Sequence, residues 1–230
     1  MHEHFEAMPA SYLLNTPPDE IAAHISHVRR ARAGHPVVRM RDDSTGRFTE
    51  ITICALDDEK PGLLAKIAGV FAALDVDIHG AQVYTREADD RIAIDLIDAD
   101  FDQRPLPELK RLQVQSELVK VLSGKLEVES LSKRFGKRSA EEVRIHGMRA
   151  ISHASDQHTV IEIEAEDTPG LLHRVTRALS SLHWNVHSAR VNTWGTRAID
   201  AFYVTDEEGA KLDDDVAAEL LARVLAKQDG

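Results

Sequence analysis

One motif is written twice in this chain. Pro61-Gly62-Leu63-Leu64, followed by Ile67, Phe71 and Leu74 and then by Asp77-Ile78-His79-Gly80-Ala81, returns as Pro169-Gly170-Leu171-Leu172, with Val175, Leu179 and Leu182 and then Asn185-Val186-His187-Ser188-Ala189. The offset is a constant 108 residues. A loop, a helix and a strand recur together, so the repeat is two copies of one small domain. The length of 230 residues suits two ordinary domains and leaves little room for a large catalytic core beside them.

Within copy one, Ile51, Ile53 and Ala55 alternate with Thr52 and Cys54, the pattern of a half-buried strand. Leu63, Leu64, Ile67, Phe71 and Leu74 form the apolar stripe of a helix. Val76 to Thr85 and Arg91 to Ile97 read as two strands, Leu109, Leu112, Leu118, Val119 and Leu122 as a second helix, and Leu126-Glu127-Val128 as a last strand. Copy two repeats the order with Val160 to Ala165, Pro169 to Leu182, Trp184 to Thr193, Arg197 to Val204 and a helix from about Asp213 to Ala226. It then runs out of chain, and Val143-Arg144-Ile145 is the segment that could supply its fourth strand. Two helices on one face of a four-stranded antiparallel sheet satisfy both stripes, giving an α+β, ferredoxin-like βαββαβ unit. Units of about 80 residues bury little surface alone. The copies are therefore expected to pair, within one chain or as a homodimer.

The expected boundaries are an extension with one helix over 1–46, the first unit over 47–136, a linker over 137–154 and the second unit over 155–230. The helix of the extension follows Pro17-Pro18, has Asp19 and Glu20 in its first turn and Arg29 and Arg30 at its end, and lines up Ile21, Ile25 and Val28.

Charge and composition exclude several functions. With 28 Lys and Arg against 39 Asp and Glu, the formal charge of -11 opposes nonspecific nucleic-acid binding. Lys133, Arg134, Lys137 and Arg138 form a local basic run that reads as a solvated linker. The single Cys54 rules out an internal disulfide, fits a reducing cytosol and reads as a buried thiol. No apolar run reaches the roughly 18 residues of a membrane span, and no secretory signal opens the chain. A soluble cytoplasmic protein without membrane contact is expected.

The helix starts carry the chemistry. Thr168 is placed to cap the second copy, Pro169 to take the first helical position, and the amides of Gly170 and Leu171 to point outward. Such a start suits a carboxylate, with about 0.3–1 kcal/mol from the dipole at an exposed site. Asp167 lies beside it, and Glu59 or Asp58 holds the corresponding place before Gly62 and Leu63 in copy one. A carboxylate there can receive an ammonium group, so the pair suits a free amino acid. Asp77 and Asn185 occupy equivalent strand entries. Asn185 reads equally well as a residue making local backbone bonds. Asp95 and Asp200 are expected to face solvent or an interface, and His79 and His187 to pack or hydrogen-bond. No spacing suggests a metal site, and no catalytic triad, phosphate loop or dinucleotide motif occurs, so neither cofactor nor enzymatic activity is expected.

An acidic residue two before Pro-Gly, then Leu-Leu, a helix, and an Asn or Asp fifteen residues after the glycine resemble the ACT domain, a small-metabolite-sensing regulatory module. Asp167-Thr168-Pro169-Gly170-Leu171-Leu172 with Ile199-Asp200-Ala201-Phe202-Tyr203-Val204-Thr205-Asp206, and Tyr12-Leu13-Leu14 upstream, are similar to the tandem ACT region of bifunctional PII uridylyltransferase/uridylyl-removing enzymes. The resemblance implies an amino acid, glutamine first, bound at ACT interfaces by Asp167, Gly170, Leu171 and Asn185 and by Glu59, Gly62, Leu63 and Asp77, with the signal passed to a protein partner or to catalytic domains. Neither the Gly-Ser and aspartate pattern of the nucleotidyltransferase nor a His-Asp dyad is present. Copy one departs from the family pattern at Glu59-Lys60, Asp77 and Leu96-Ile97-Asp98, so its site is expected to have changed ligand or kept only the fold. The alternatives are a ligand-free interaction module or the regulatory piece of a PII uridylyltransferase.

Overall fold

The structure is a computed structural model that describes residues 2–57, 62–86, 88, 90–135, 144–168 and 170–227. Eight antiparallel strands form one continuous sheet in the order β1-β2-β4-β3-β7-β8-β6-β5. The first copy supplies β1 (Val37–Asp42), β2 (Thr49–Leu56), β3 (Asp77–Thr85) and β4 (Ile92–Asp100). The second supplies β5 (Ile145–Ile151), β6 (Thr159–Glu166), β7 (Asn185–Trp194) and β8 (Arg197–Thr205). The copies meet edge to edge through β3 and β7, in a register that pairs Gly80 with Asn192 and Tyr84 with Ser188. Adding the repeat offset exchanges these two pairs, so a local two-fold axis passes between Gln82 and Arg190. Neither inner edge is left open, which removes an aggregation hazard of isolated sheets.

Helices α4 (Leu63–Ala73) and α7 (Leu171–Ser181) are the repeated pair and pack on each other across this axis, with His173 Nδ1 donating to the Ala65 carbonyl at 3.0 Å. Their stripes follow the expectation: Ile67, Phe71, Val175 and Leu179 are fully buried. Each such side chain contributes about 1.5–3 kcal/mol of transfer free energy. Gly69 allows this closeness, since a Cβ there would meet Val128 Cγ1 at 2.5 Å and His173 Cε1 at 2.8 Å.

Several expectations are corrected. Leu126-Glu127-Val128 is no strand: Val128 opens helix α6 (Val128–Phe135), which packs on α4 through Val128 and Leu131. The fourth strand of copy one is β1, from the N-terminal side, just as β5 serves copy two through Ile145; Val143 lies outside the described residues. In α5 (Glu108–Leu122) the buried stripe is Val114, Leu118 and Val121, while Leu109 and Leu112 point to solvent. The last helix, α8 (Asp214–Lys227), buries Ala217, Leu221 and Leu225 as its spacing requires.

The extension holds three helices rather than one, α1 (His2–Ala7), α2 (Ala10–Asn15) and α3 (Pro18–Arg32). They cover the back of the first copy's half of the sheet, where Met8, Tyr12, Ile21, Val28 and Ala31 meet Cys54, Tyr84, Ile92 and Ile94. Tyr12 is fully buried, and its hydroxyl lies 2.9 Å from His24 Nδ1 and 3.2 Å from His4 Nε2. Burial holds the His24 imidazole down to about 4, so the network is neutral at physiological pH. Burial also pushes the Cys54 thiol up to about 12, which leaves it inert as a nucleophile. No helix among the described residues is long and apolar enough to cross a membrane.

Candidate functional site

The two-fold axis creates two equivalent corners, each between the start of one repeated helix and the strand entry of the other copy. At the start of α7, Gly170 stands at the N-cap with φ +85°, a conformation that favours glycine. Its corner is a cavity of about 280 Å³, whose walls include Asp167, Thr168 and Asp200 from copy two and Asp77, His79 and Asp100 from copy one. At the start of α4, Gly62 has φ +138°, and its corner holds only about 30 Å³ between Asp57, Asp95 and Asn185. That is room for about one water.

The sites therefore exchange partners across the seam. Asp77 faces Gly170 and Leu171 of the other copy, and Asn185 faces Gly62 and Leu63. Asn185 does not join Asp167 and Gly170 in one site, and its side-chain amide is engaged by the Asp206 carbonyl at 2.9 Å. Glu59 lies outside the described residues. The structural counterpart of Asp167 is Asp57, because each follows its strand at the same register: Asp57 N–H donates to the Arg91 carbonyl and Asp167 N–H to the Thr196 carbonyl. The loop after Asp57 is two residues longer than the loop after Asp167, which hides this correspondence when the helices are aligned.

Three substitutions between equivalent positions explain why one corner is open. The open cavity is walled by Ala68, Ala72 and Val76 of copy one, whereas the closed one meets Thr176, Ser180 and Trp184 of copy two. Trp184 is 5 % exposed and occupies the place that Val76 leaves free. The approach to the two glycines differs accordingly. A Cβ on Gly62 would lie 3.0 Å from Ser180 Oγ, while one on Gly170 would find nothing nearer than Ala72 Cβ at 4.0 Å.

Asp95 and Asp200 do not face solvent. They stand on the helix-facing side of β4 and β8, 1 % and 2 % exposed, and each has one carboxylate oxygen with no hydrogen-bond partner. Burial pushes the Asp200 carboxyl up to about 7, against the pull of the Asn192 backbone N–H and with a further push from Asp167. Asp95 rises to about 8 by burial and by Asp57. His79 and His187 sit at matching bulges of β3 and β7 and hydrogen-bond to Asp100 at 2.8 Å and Thr205 at 2.9 Å. The helix start differs from expectation in detail: α7 begins at Leu171, whose N–H donates to the Thr168 carbonyl at 3.0 Å, and the Thr168 hydroxyl, buried and without a partner, does not cap it. Pro169 lies outside the described residues. The remaining first-turn amides of α7 have no intrahelical acceptor. The open cavity thus sets a helix start beside a set of carboxylates, the complement of a small zwitterion.

Residues 49–114 and 159–224 each match the ACT domain. The chain belongs to the ACT domain family. Curated relatives are bifunctional uridylyltransferase/uridylyl-removing enzymes: that of Rhodopseudomonas palustris is 34 % identical over 198 residues, covering 82 % of this chain and 21 % of the relative. That of Rhodospirillum rubrum is 36 % identical over 202 residues, covering 83 % and 21 %. This ACT protein spans about a fifth of the length of those relatives, the part that bears their ACT domains. Among solved structures, aspartate kinase from Synechocystis aligns with a TM-score of 0.39 at 17 % identity, over 79 % of this chain and 27 % of that one.

Proposed function

We propose that this chain is an amino-acid-sensing regulatory module with one working ligand site, the cavity under Gly170. The observation that carries the reading is that cavity, in which a helix start from one ACT copy faces carboxylates from the other. A ligand seated there touches both halves of the β3–β7 seam, so binding biases the geometry of the whole sheet. The amino acid's carboxylate meets the first turn of α7, and its ammonium meets the aspartates. Kinship with uridylyltransferases makes glutamine the first ligand to try and nitrogen or amino-acid metabolism the setting, with catalytic domains of that type as the recipients of the signal. The module itself binds and does no chemistry.

Calorimetry of the full chain with each of the twenty amino acids tests this. Regulatory affinities near 1 mM correspond to about -4 kcal/mol, so millimolar protein is needed. Heat with at least one amino acid, lost on Gly170→Val, is the expected result; no heat with any of them contradicts the reading. The filled corner at Gly62 favours a second role for that half, as a packing and docking surface that needs no ligand. Capture of a partner unaffected by the ligand would shift the account to that role, because a sensor changes partner affinity by about 1–3 kcal/mol.

A further inference from the structure

We propose that the outer edge of β1 is a docking site for a partner protein, which adds an extended acidic segment there as a further strand of the sheet. The site lies at one end of the sheet, away from the β3–β7 seam and its cavity.

A terminal strand carries a row of backbone groups with no neighbouring strand to meet them. Gln115 of α5 shows which way they point in β1, because its side-chain Nε2 donates to the Val38 carbonyl at 2.9 Å. In an antiparallel ladder the N–H and C=O of one residue share a side, and the pattern repeats at every second residue. Met40 therefore faces outward as well. Among the described residues nothing meets the outward Met40 N–H or carbonyl. The Gln115 amide stands where a neighbouring strand's N–H would stand, and the rest of the edge is open.

This edge lies along a groove of about 550 Å³. Val37 packs with the extension and Val38 with the helix layer, so the end of α3 and the side of α5 rise on opposite sides of the strand. An extended chain fits between them. Strand addition of this kind draws affinity from main-chain hydrogen bonds and specificity from the side chains along the walls.

The walls are basic. Arg30, His35, Arg39 and Lys125 line the groove, and no Asp or Glu is found among its described lining residues. In a chain with 39 acidic residues against 28 Lys and Arg, other cations are readily answered: Arg32, Arg41, Arg111 and Arg149 each hold a carboxylate. Arg30, Arg39 and Lys125 hold none among the described residues. Helix ends account for part of this charge, since Arg30 stands in the last turn of α3 and Lys125 just past α5. Arg39 lies on the strand, where no helix end calls for it. The opposite end of the sheet differs: beside β5, Arg149 is held by Glu162 and Arg144 by Glu166, so these charges are already answered. Unpaired cations on both sides of an open strand edge are the complement of carboxylates set along an extended chain.

The test is fluorescence anisotropy of the full chain with short labelled peptides, at low and at high salt. The probes are a peptide alternating Val and Glu, its counterpart alternating Val and Lys, and the Val and Glu peptide with its central amides N-methylated, which removes the strand's donors. The Val and Glu peptide is expected to bind roughly tenfold or more tighter than either of the others, and more weakly at high salt. Arg39→Glu with Lys125→Glu, both at exposed positions, is expected to weaken it by roughly tenfold or more with an unchanged circular dichroism spectrum. Equal binding of the Val and Lys peptide overturns the charge complementarity, and equal binding of the N-methylated peptide overturns strand addition. Tripolyphosphate binding where no peptide binds overturns the proposal in favour of a small-anion site. Self-association that the double variant abolishes, with no peptide bound, makes a second copy of the chain the occupant and overturns the foreign partner.

Discussion

The two corners of the seam are built from one motif and have become different objects. At Gly170, small side chains of the opposite copy, Ala68 and Ala72 on α4 and Val76 just after it, leave about 280 Å³. At Gly62, the matching Thr176, Ser180 and Trp184 leave about 30 Å³. The glycines that open both helices are retained, yet only one has space before it. The lesson is that a duplicated helix start does not make a site. What faces it across the two-fold axis decides, and those facing residues belong to the other copy.

The comparison can be broken most sharply by moving the plug. Val76→Trp transplants the Trp184 side chain into the open corner and is expected to abolish amino-acid binding, at least a hundredfold, with an unchanged circular dichroism spectrum. The indole enters an existing void, so the overpacking cost stays near the low end of about 1–3 kcal/mol. Retained binding would mean that the ligand sits elsewhere. The reverse change, Trp184→Val, empties the filled corner and is expected to lower stability by about 2–4 kcal/mol in denaturant melts, as large core truncations do. Affinity at the Gly170 corner should stay within about twofold, since sites with no shared side chains behave additively.

The buried acids give the next effect. A carboxyl whose folded pKa is raised holds its proton in the native state while the unfolded chain has released it. Stability therefore falls as pH rises from the ordinary aspartate value near 4 to the folded value, about 7 for Asp200 and about 8 for Asp95. His24 and His187, held down to about 4 by burial, act oppositely up to about pH 6.5. The difference between wild type and variant isolates the acids: Asp95→Asn with Asp200→Asn is expected to gain on the order of 1–4 kcal/mol over wild type at pH 8. At pH 4 the two should differ little. A constant offset across that range would contradict the assignment.

The smallest effect concerns the glycines. Alanine at Gly170 costs about 1–2 kcal/mol for its left-handed backbone, and at Gly62, whose φ of +138° lies outside the left-handed well, it costs more. Gly62→Ala is expected to cost more than Gly170→Ala, because Ser180 Oγ stands 3.0 Å from the new Cβ. Adding Ser180→Ala should recover only the part of the excess that comes from this close contact, and leave the backbone strain of Gly62 in place. Equal losses at the two glycines would mean that the corners are less different than the cavity volumes state.

Much of this was legible before the fold was described. The repeated stripe of Ile67, Phe71, Val175 and Leu179 dictated two helices on one face, because 3.6-residue spacing leaves no other way to bury them. The fourth strand of copy one was not legible. Val37 to Met40 and Leu126 to Val128 are both β-prone, and the choice between them is made by packing, where Val128 and Leu131 fill a place against α4. The exchange of Asp77 and Asn185 between corners was hidden for a different reason. It follows from the register of β3 on β7, a long-range pairing that no local pattern encodes. Asp95 and Asp200 misled because an aspartate in a strand is ordinarily exposed, and only the parity with Ala93, Ile97, Ala198 and Phe202 could have placed them inward.

The central claim is that one corner of the seam binds and the other does not. Calorimetric stoichiometry of the tightest-binding amino acid on the full chain tests it most directly. The account predicts one ligand per chain at saturation; two ligands per chain, with both corners occupied, would contradict it.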